Sequence, residues 1–307
     1  VGAAPSDGGW TVTMQDTTSG QEVKVTARMI VNAAGPWVGD VLRGTIILVH
    51  MANPESFFAR TVYYNPVDGK NLNRAFPGQP DGSHSERVAH ALTTEVIEQA
   101  DYLIDLHAGD GNESLRPFTY MPRTGDAALD EETRRLALAF GIDHILIDET
   151  TLPEADAARF VDYTALTRGV PAITTETGQL GSTDERWISL AVRGVDNVLV
   201  ELGMRDGIAN RDQAITWLTE SEVLTSPADG LFIASVRDGY VVAENGRIGT
   251  LLDVYGDELS AVRAPFAGVV NYVLGTPPVK KDEPLAMISK ISTDGADSRQ
   301  GAAPTTH

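Results

Sequence analysis

The chain contains no cysteine. That rules out disulfides and thiolate metal sites, so any metal here must be met by His, Asp or Glu. Positive charge is scarce too: 24 Lys and Arg stand against 43 Asp and Glu, a formal net charge of -19. Such a balance argues against nucleic acid as a partner, because phosphate binding needs concentrated basic residues. An anionic small molecule would have to be met by positive charge gathered locally. Long apolar runs are missing as well. None approaches the roughly 18 residues a membrane span needs, so no membrane partner is expected. No basic stretch followed by an apolar one opens the sequence, and a cytoplasmic protein is expected. Two short motifs are also absent. Gly-x-Gly-x-x-Gly occurs nowhere, and none of the six histidines begins a His-x-x-Glu.

What is present suits a globular chain. A hydrophobic content of 42% over 307 residues can build one large or two medium domains. From Gly44 to about residue 220, short apolar runs alternate with helical patterns. Ile46 to Val49 reads as a strand ended by Asn53-Pro54. Ser83-x-x-Glu86 is a capping box that opens a helix to about Gln99. Tyr102 to Leu106, His144 to Ile147 and Ala172 to Thr175 are strands. Asp130 to Phe140, Ala155 to Thr167 and Asp184 to Leu202 are helices. This alternation predicts an α/β fold with a mainly parallel sheet flanked by helices. After about Glu220 the pattern becomes short strands between glycine turns, the spacing of a small all-β barrel or sandwich over 221–291. Residues 292–307 have the composition of a disordered tail.

Three segments carry chemistry. Leu103-Ile104-Asp105-Leu106-His107-Ala108-Gly109-Asp110 aims a histidine from a strand end, and neutral imidazole there is a good metal ligand. Asp105 lies two residues back on the same strand face and can hold the ring. Asn71-Leu72-Asn73-Arg74 offers a rigid two-pronged donor for a carboxylate with a neutral amide beside it. Pro171-Ala172-Ile173-Thr174-Thr175-Glu176-Thr177-Gly178 places a carboxylate at a third strand end, where it could move protons. His50 directly follows a strand and could point to the same sheet edge. The remaining histidines are less promising.

Taken in this order, the three segments resemble the zinc carboxypeptidase-like deacylases, and within them the succinylglutamate desuccinylase/aspartoacylase family, over about 44–290. The resemblance implies hydrolysis of the amide of an N-acyl amino acid or a similar small acidic compound. It implies Zn2+ on His107, Glu176 as general acid/base and a substrate carboxylate on Asn73 and Arg74. It also implies an oxyanion-steadying arginine upstream, for which Arg60 is the candidate; a second arginine expected near Val62 is missing. The family's His-x-x-Glu should lie before residue 44, and it is not there. Two zinc ligands are therefore lacking, and the chain is expected to be an impaired hydrolase. Residues 10–42, with Val31-Asn32-Ala33-Ala34-Gly35-Pro36-Trp37, instead resemble a fragment of an FAD-dependent glycerol-3-phosphate dehydrogenase-type oxidoreductase. Residues 1–43 thus read as a foreign segment joined near Val41 to Gly44, expected to stand apart from the α/β sheet. A flavin oxidoreductase and a non-catalytic small-molecule-binding remnant are the alternative functions.

Overall fold

The structure is a computed structural model. It describes residues 42–209 and 214–293, and only the backbone of residues 2–6, 9–15, 22–27 and 29–31. The Val31–Trp37 motif beyond its first residue, the join at Val41 and the tail beyond residue 293 lie outside the described residues.

A mixed sheet forms the centre of the molecule. Four parallel pairings build the region that matters here. Leu103–His107 lies beside Ala172–Glu176, Phe118–Pro122 beside His144–Asp148, and Met29–Val31 between Ile46–Leu48 and Leu103–Ile104. His144–Leu146 pairs in turn with Thr216–Leu218. Phe118–Tyr120 runs antiparallel to Thr174–Glu176 and joins the two parallel groups.

Side chains alternate across these strands. Ile104 and Ile173 enter a core with Leu136, Phe140, Val195 and Leu199, from helices Ala127–Phe140 and Glu185–Glu201. Leu103 and Ala172 face the other way, onto Ala89, Ile97 and Leu166 beneath helices His84–Glu95 and Val161–Leu166. Both faces are thus covered, which is why these strands read as nearly continuous apolar runs.

The helices start where their caps put them. Ser83 and Glu86 form the expected capping box, with Ser83 N donating to Glu86 Oε2 at 2.7 Å. Asp126 accepts from Ala128 N and Leu129 N, and Gly141 ends that helix at φ +82°. A left-handed residue at this position suits glycine. Two predicted helices are shorter in the structure. The first stops at Glu95 and tightens into a 3-10 turn over Ile97–Gln99. The expected Ala155–Thr167 helix is broken by Arg159, whose φ of +68° turns its N–H out to Phe76 O at 2.8 Å. Only Val161–Leu166 is α-helical.

The C-terminal strands fall in the stretch 221–291 expected to be β-rich. Arg247–Leu252, Glu258–Arg263, Gly230–Ala234 and Pro278–Val279 form a four-stranded antiparallel sheet. It packs through Phe232, Ile248 and Leu251 on Val270, Val273, Leu285 and Ile288 of the neighbouring strands. The strand Thr216–Thr225 was not foreseen. It runs through the pattern change at residue 220, pairing with His144–Leu146 at one end and Pro284–Ile291 along its length.

Residues 1–43 were expected to stand apart from the α/β sheet, and one strand among them does not. Gly2–Ser6, Gly9–Gln15 and Glu22–Ala27 make their own antiparallel sheet. Met29–Val31 instead joins the central sheet, its backbone pairing in parallel with Ile46–Leu48 on one side and Leu103–Ile104 on the other.

Candidate active site

His107 and Glu176 are register partners at the carboxyl ends of adjacent parallel strands. Alternation places Asp105, His107, Thr174 and Glu176 on one face, the face covered by helix Val161–Leu166. Open α/β sheets bind ligands at this edge. His107 Nε2 lies 2.8 Å from Asp105 Oδ2, so the ring is held from behind as the sequence suggested. About a third of the His107 side chain, 32%, is exposed. Asp162 approaches from the helix. It accepts from Thr174 Oγ1 at 3.0 Å and from Tyr163 N at 2.8 Å.

The electrostatics follow from crowding carboxylates into a dry edge. Burial pushes Glu176 up to about 7, against the pull of His107 and with the repulsion of Glu113, Asp105 and Asp110. Its Oε2 is buried with no hydrogen-bond partner among the described residues. Asp162 rises to about 6, through burial first and Asp105 second. For His107 burial opposes the charged form, but Asp105, Glu176 and Asp162 outweigh it and lift the imidazole to about 10.

Beyond His107 the chain turns back through Glu113. Glu113 Oε2 accepts from Asp110 N at 3.0 Å, and Oε1 accepts from the Tyr63 hydroxyl at 3.2 Å. The strand Glu113–Leu115 pairs with Tyr272–Leu274, so the β-rich part borders the site.

Arg74 stands on the 3-10 turn Leu72–Arg74. Its guanidinium stacks on the Phe160 ring, 4.5 Å from the centroid, and Nη1 donates to Asn73 O. Among the described residues no carboxylate pairs with it. Burial and the neighbouring Arg159 both lower its pKa, while Tyr120, Tyr63 and Asp162 pull the other way. Asn73 Oδ1 accepts from Val161 N at 3.0 Å, which fixes the Asn-Arg turn to the helix bearing Asp162.

His107 and Glu176 are strand neighbours, Asn73 lines the cavity beside His107, and Arg74 follows Asn73 on its turn. Arg60 does not join them by any described hydrogen bond or ion pair. Its left-handed backbone (φ 55°) caps helix Pro54–Ala59, with its N–H on Phe57 O and Ser56 O. The residues that sequence reading missed are Asp162, Arg159, Glu113 and Tyr63. Of these only Tyr63 carried a signal, since it stands beside Val62, where an arginine was expected. An adjoining cavity of about 460 Å³ is lined by His107, Asp105, Asp110 and Asn73 and by apolar side chains including Leu92, Val96 and Leu103.

A hydrolytic zinc needs three protein donors and an open position. Among the described residues no group of three His, Asp or Glu is placed to hold a metal ion. His50 is exposed and does not complete one. The described donors thus do not fit a zinc on their own.

Comparison with known proteins places this arrangement. A profile of the succinylglutamate desuccinylase/aspartoacylase catalytic domain matches residues 34–202. The chain belongs to this family. It is a family of deacylases that act on N-acyl amino acids. The N-alpha-acetyl-L-2,4-diaminobutyric acid deacetylase of Halomonas elongata is 33% identical over 168 residues, 54% of this chain and 47% of the relative. The chain therefore spans about half the length of that relative. A succinylglutamate desuccinylase/aspartoacylase structure from Rhodobacter sphaeroides shares the fold at a TM-score of 0.75. It is 21% identical and covers 92% of this chain and 94% of its own. The product-bound ectoine utilization protein EutE (DoeB) of Ruegeria pomeroyi reaches 0.71 at 27% identity, over 81% of this chain and 76% of its own. None of these matches supports the flavoprotein likeness of residues 10–42.

Proposed function

We propose that this chain is a deacylase for N-acyl amino acids, with Arg74 and Asn73 on the substrate carboxylate and Glu176 moving the protons. The observation that carries this reading is the polarity of the site. Among the described residues, a guanidinium with no carboxylate partner follows Asn73, which lines the cavity beside His107, and the strand neighbour of His107 carries a buried, unpartnered carboxylate oxygen. Arg74 would hold the carboxylate by a bidentate contact. Asn73 has spent its carbonyl oxygen on Val161 N, so its amide NH2 remains to donate. Glu176 would take a proton from the attacking water and pass it to the leaving nitrogen as the C–N bond breaks. The products are a carboxylic acid and a free amino acid.

Zinc dependence belongs to the same proposal, with His107 as one ligand. The described donors do not complete a metal site, and activity in this chain is expected to be impaired. A small acidic substrate, no nucleic acid or membrane partner, and a cytoplasmic place of action complete the reading. No helix among the described residues is long and apolar enough to cross a membrane. Binding without turnover is the second reading, favoured by the missing donor set.

The test is hydrolysis of N-alpha-acetyl-L-2,4-diaminobutyrate by the 307-residue chain with and without added zinc, alongside Glu176→Gln and His107→Ala. Slow turnover abolished by both substitutions supports the deacylase. Calorimetric binding of the substrate with no turnover supports the second reading. No binding and no turnover refutes both.

A further inference from the structure

Amide hydrolysis gathers negative charge on the carbonyl oxygen as the tetrahedral intermediate forms. A donor fixed beside that oxygen is among the largest contributions an enzyme makes. The structure uses Arg60, the sequence's candidate donor, to end a helix. The groups bordering Glu176 are mostly acceptors: Asp105, Asp110 and Glu113 all act on its charge. The Tyr63 hydroxyl is a neutral donor beside two of these carboxylates: it lies 3.2 Å from Glu113 Oε1 and also reaches the Asp110 carboxyl.

Its placement is not relaxed. Tyr63 has φ +64°, a left-handed conformation that a bulky aromatic residue keeps only when its surroundings hold it. The residue is 39% exposed, so it stands at the mouth of the site and not in a core. Arg74 feels the same phenol. Tyr63 therefore bridges the cation side, where the substrate carboxylate is expected, and the carboxylates around Glu176. Burial first, then Glu113 and Asp110, raises the phenol far above its ordinary pKa, so it stays a donor.

We propose, resting on the deacylase reading above, that Tyr63 is a catalytic residue that hydrogen-bonds the substrate's acyl carbonyl oxygen and the oxyanion it becomes. No proton is transferred in this step. The O–H given to Glu113 in the free protein turns to the substrate by rotation about the Cζ–Oη bond, with the backbone unmoved. Glu113 is then a positioning residue that keeps the ring aimed.

The experiment avoids dependence on turnover. Calorimetry compares two probes: the methylphosphonamidate of L-2,4-diaminobutyrate, whose P–O⁻ imitates the oxyanion, and free L-2,4-diaminobutyrate, which carries the carboxylate alone. Tyr63→Phe is expected to weaken the phosphonamidate about 10²-fold and to leave the amino acid within twofold. Glu113→Gln keeps an acceptor for the phenol and is expected to retain most of the phosphonamidate affinity. Equal losses for both probes in Tyr63→Phe would make the residue a structural one, and no loss for either would place the donor elsewhere; both results overturn the proposal. A loss in Glu113→Gln as large as that in Tyr63→Phe would shift the role to the Glu113 charge and overturn it too. If wild-type protein binds neither probe, the deacylase reading itself fails, a result distinct from all of these.

Discussion

The two walls of the site are built in opposite ways. On one side Asp105, His107, Thr174 and Glu176 stand on paired strand ends, and their spacing is set by the ladder. On the other, Asn73 and Arg74 stand on a single 3-10 turn held by Asn73 Oδ1 on Val161 N and by stacking on Phe160. The first wall is buried and rich in carboxylates with one imidazole among them. The second is open and cationic. Rigid strands suit proton transfer, which tolerates little displacement. A loop-borne guanidinium suits capture of a free carboxylate, which arrives from solvent.

The sharpest way to break that contrast is at Glu176. Glu176→Gln keeps the shape and the strand register but removes the base, and kcat should fall 10²- to 10⁴-fold. KM should change little, because the carboxylate clamp lies on the other wall. Steady-state kinetics on N-acetylated amino acids checks this, and a fall confined to KM would show that Glu176 binds and does not react.

Arg74→Ala attacks the opposite wall. A loss of about 10- to 100-fold is expected in KM, with kcat less affected, because a charge-assisted hydrogen bond to a carboxylate is worth roughly 1.5–3 kcal/mol. Arg74→Lys should recover little, since an ammonium cannot reproduce the fork or the stacking on Phe160. Equal activity in the lysine variant would show that charge alone matters there.

The acid wall should also show itself in stability. Burial, with repulsion from Asp110, raises Glu113 to about 7 from the ordinary 4.5. A raised carboxyl pKa means that the folded state disfavours the charged form. The penalty is absent below about pH 4.5, grows as pH rises, and is complete above about 7. At one pKa unit per about 1.4 kcal/mol its ceiling is roughly 3 kcal/mol. Glu113→Gln should therefore gain melting temperature relative to wild type at pH 8 and gain little or nothing at pH 4.5. A constant difference across that range would mean that Glu113 is not strained by its charge.

The contrast between walls also explains what the sequence could and could not reveal. His107 and Glu176 were legible because a short apolar strand followed by glycine is a local pattern, and two such strands end at one sheet edge. Asn73 and Arg74 were legible because the turn that carries them is local. Arg60 was chosen by residue type alone, and what the structure describes of it is the backbone that caps helix Pro54–Ala59. Asp162 and Glu113 gave no signal, since each acquires its place through tertiary contacts: Asp162 through Thr174, Glu113 through Tyr63 and the Asp110 loop. Thr216–Thr225 was missed for a related reason. Its first residues pair with the α/β part while most of its length pairs with the β-rich part, so neither neighbouring pattern describes it whole.

The smallest expected effect tests the tether of the loop wall. Asn73 has two jobs that different atoms perform: Oδ1 satisfies Val161 N, one of the free donors at a helix start, and Nδ2 is left for the substrate. Asn73→Ala ends both, and should cost about 1 kcal/mol of stability, the usual value of a lost helix cap, together with weaker substrate binding. Asn73→Asp separates them. A carboxylate oxygen can still accept from Val161 N, so stability should stay near wild type. The same change removes the donor and sets a negative charge beside Arg74, where it would occupy the guanidinium and repel the substrate carboxylate. Melting curves for the two variants should therefore differ while both bind substrate poorly, the aspartate more so. If Asn73→Asp melts as low as Asn73→Ala, Val161 is not what Asn73 holds. If Asn73→Asp binds as well as wild type, the carboxylate does not lie against this wall, and the division of labour between the two sides is wrong.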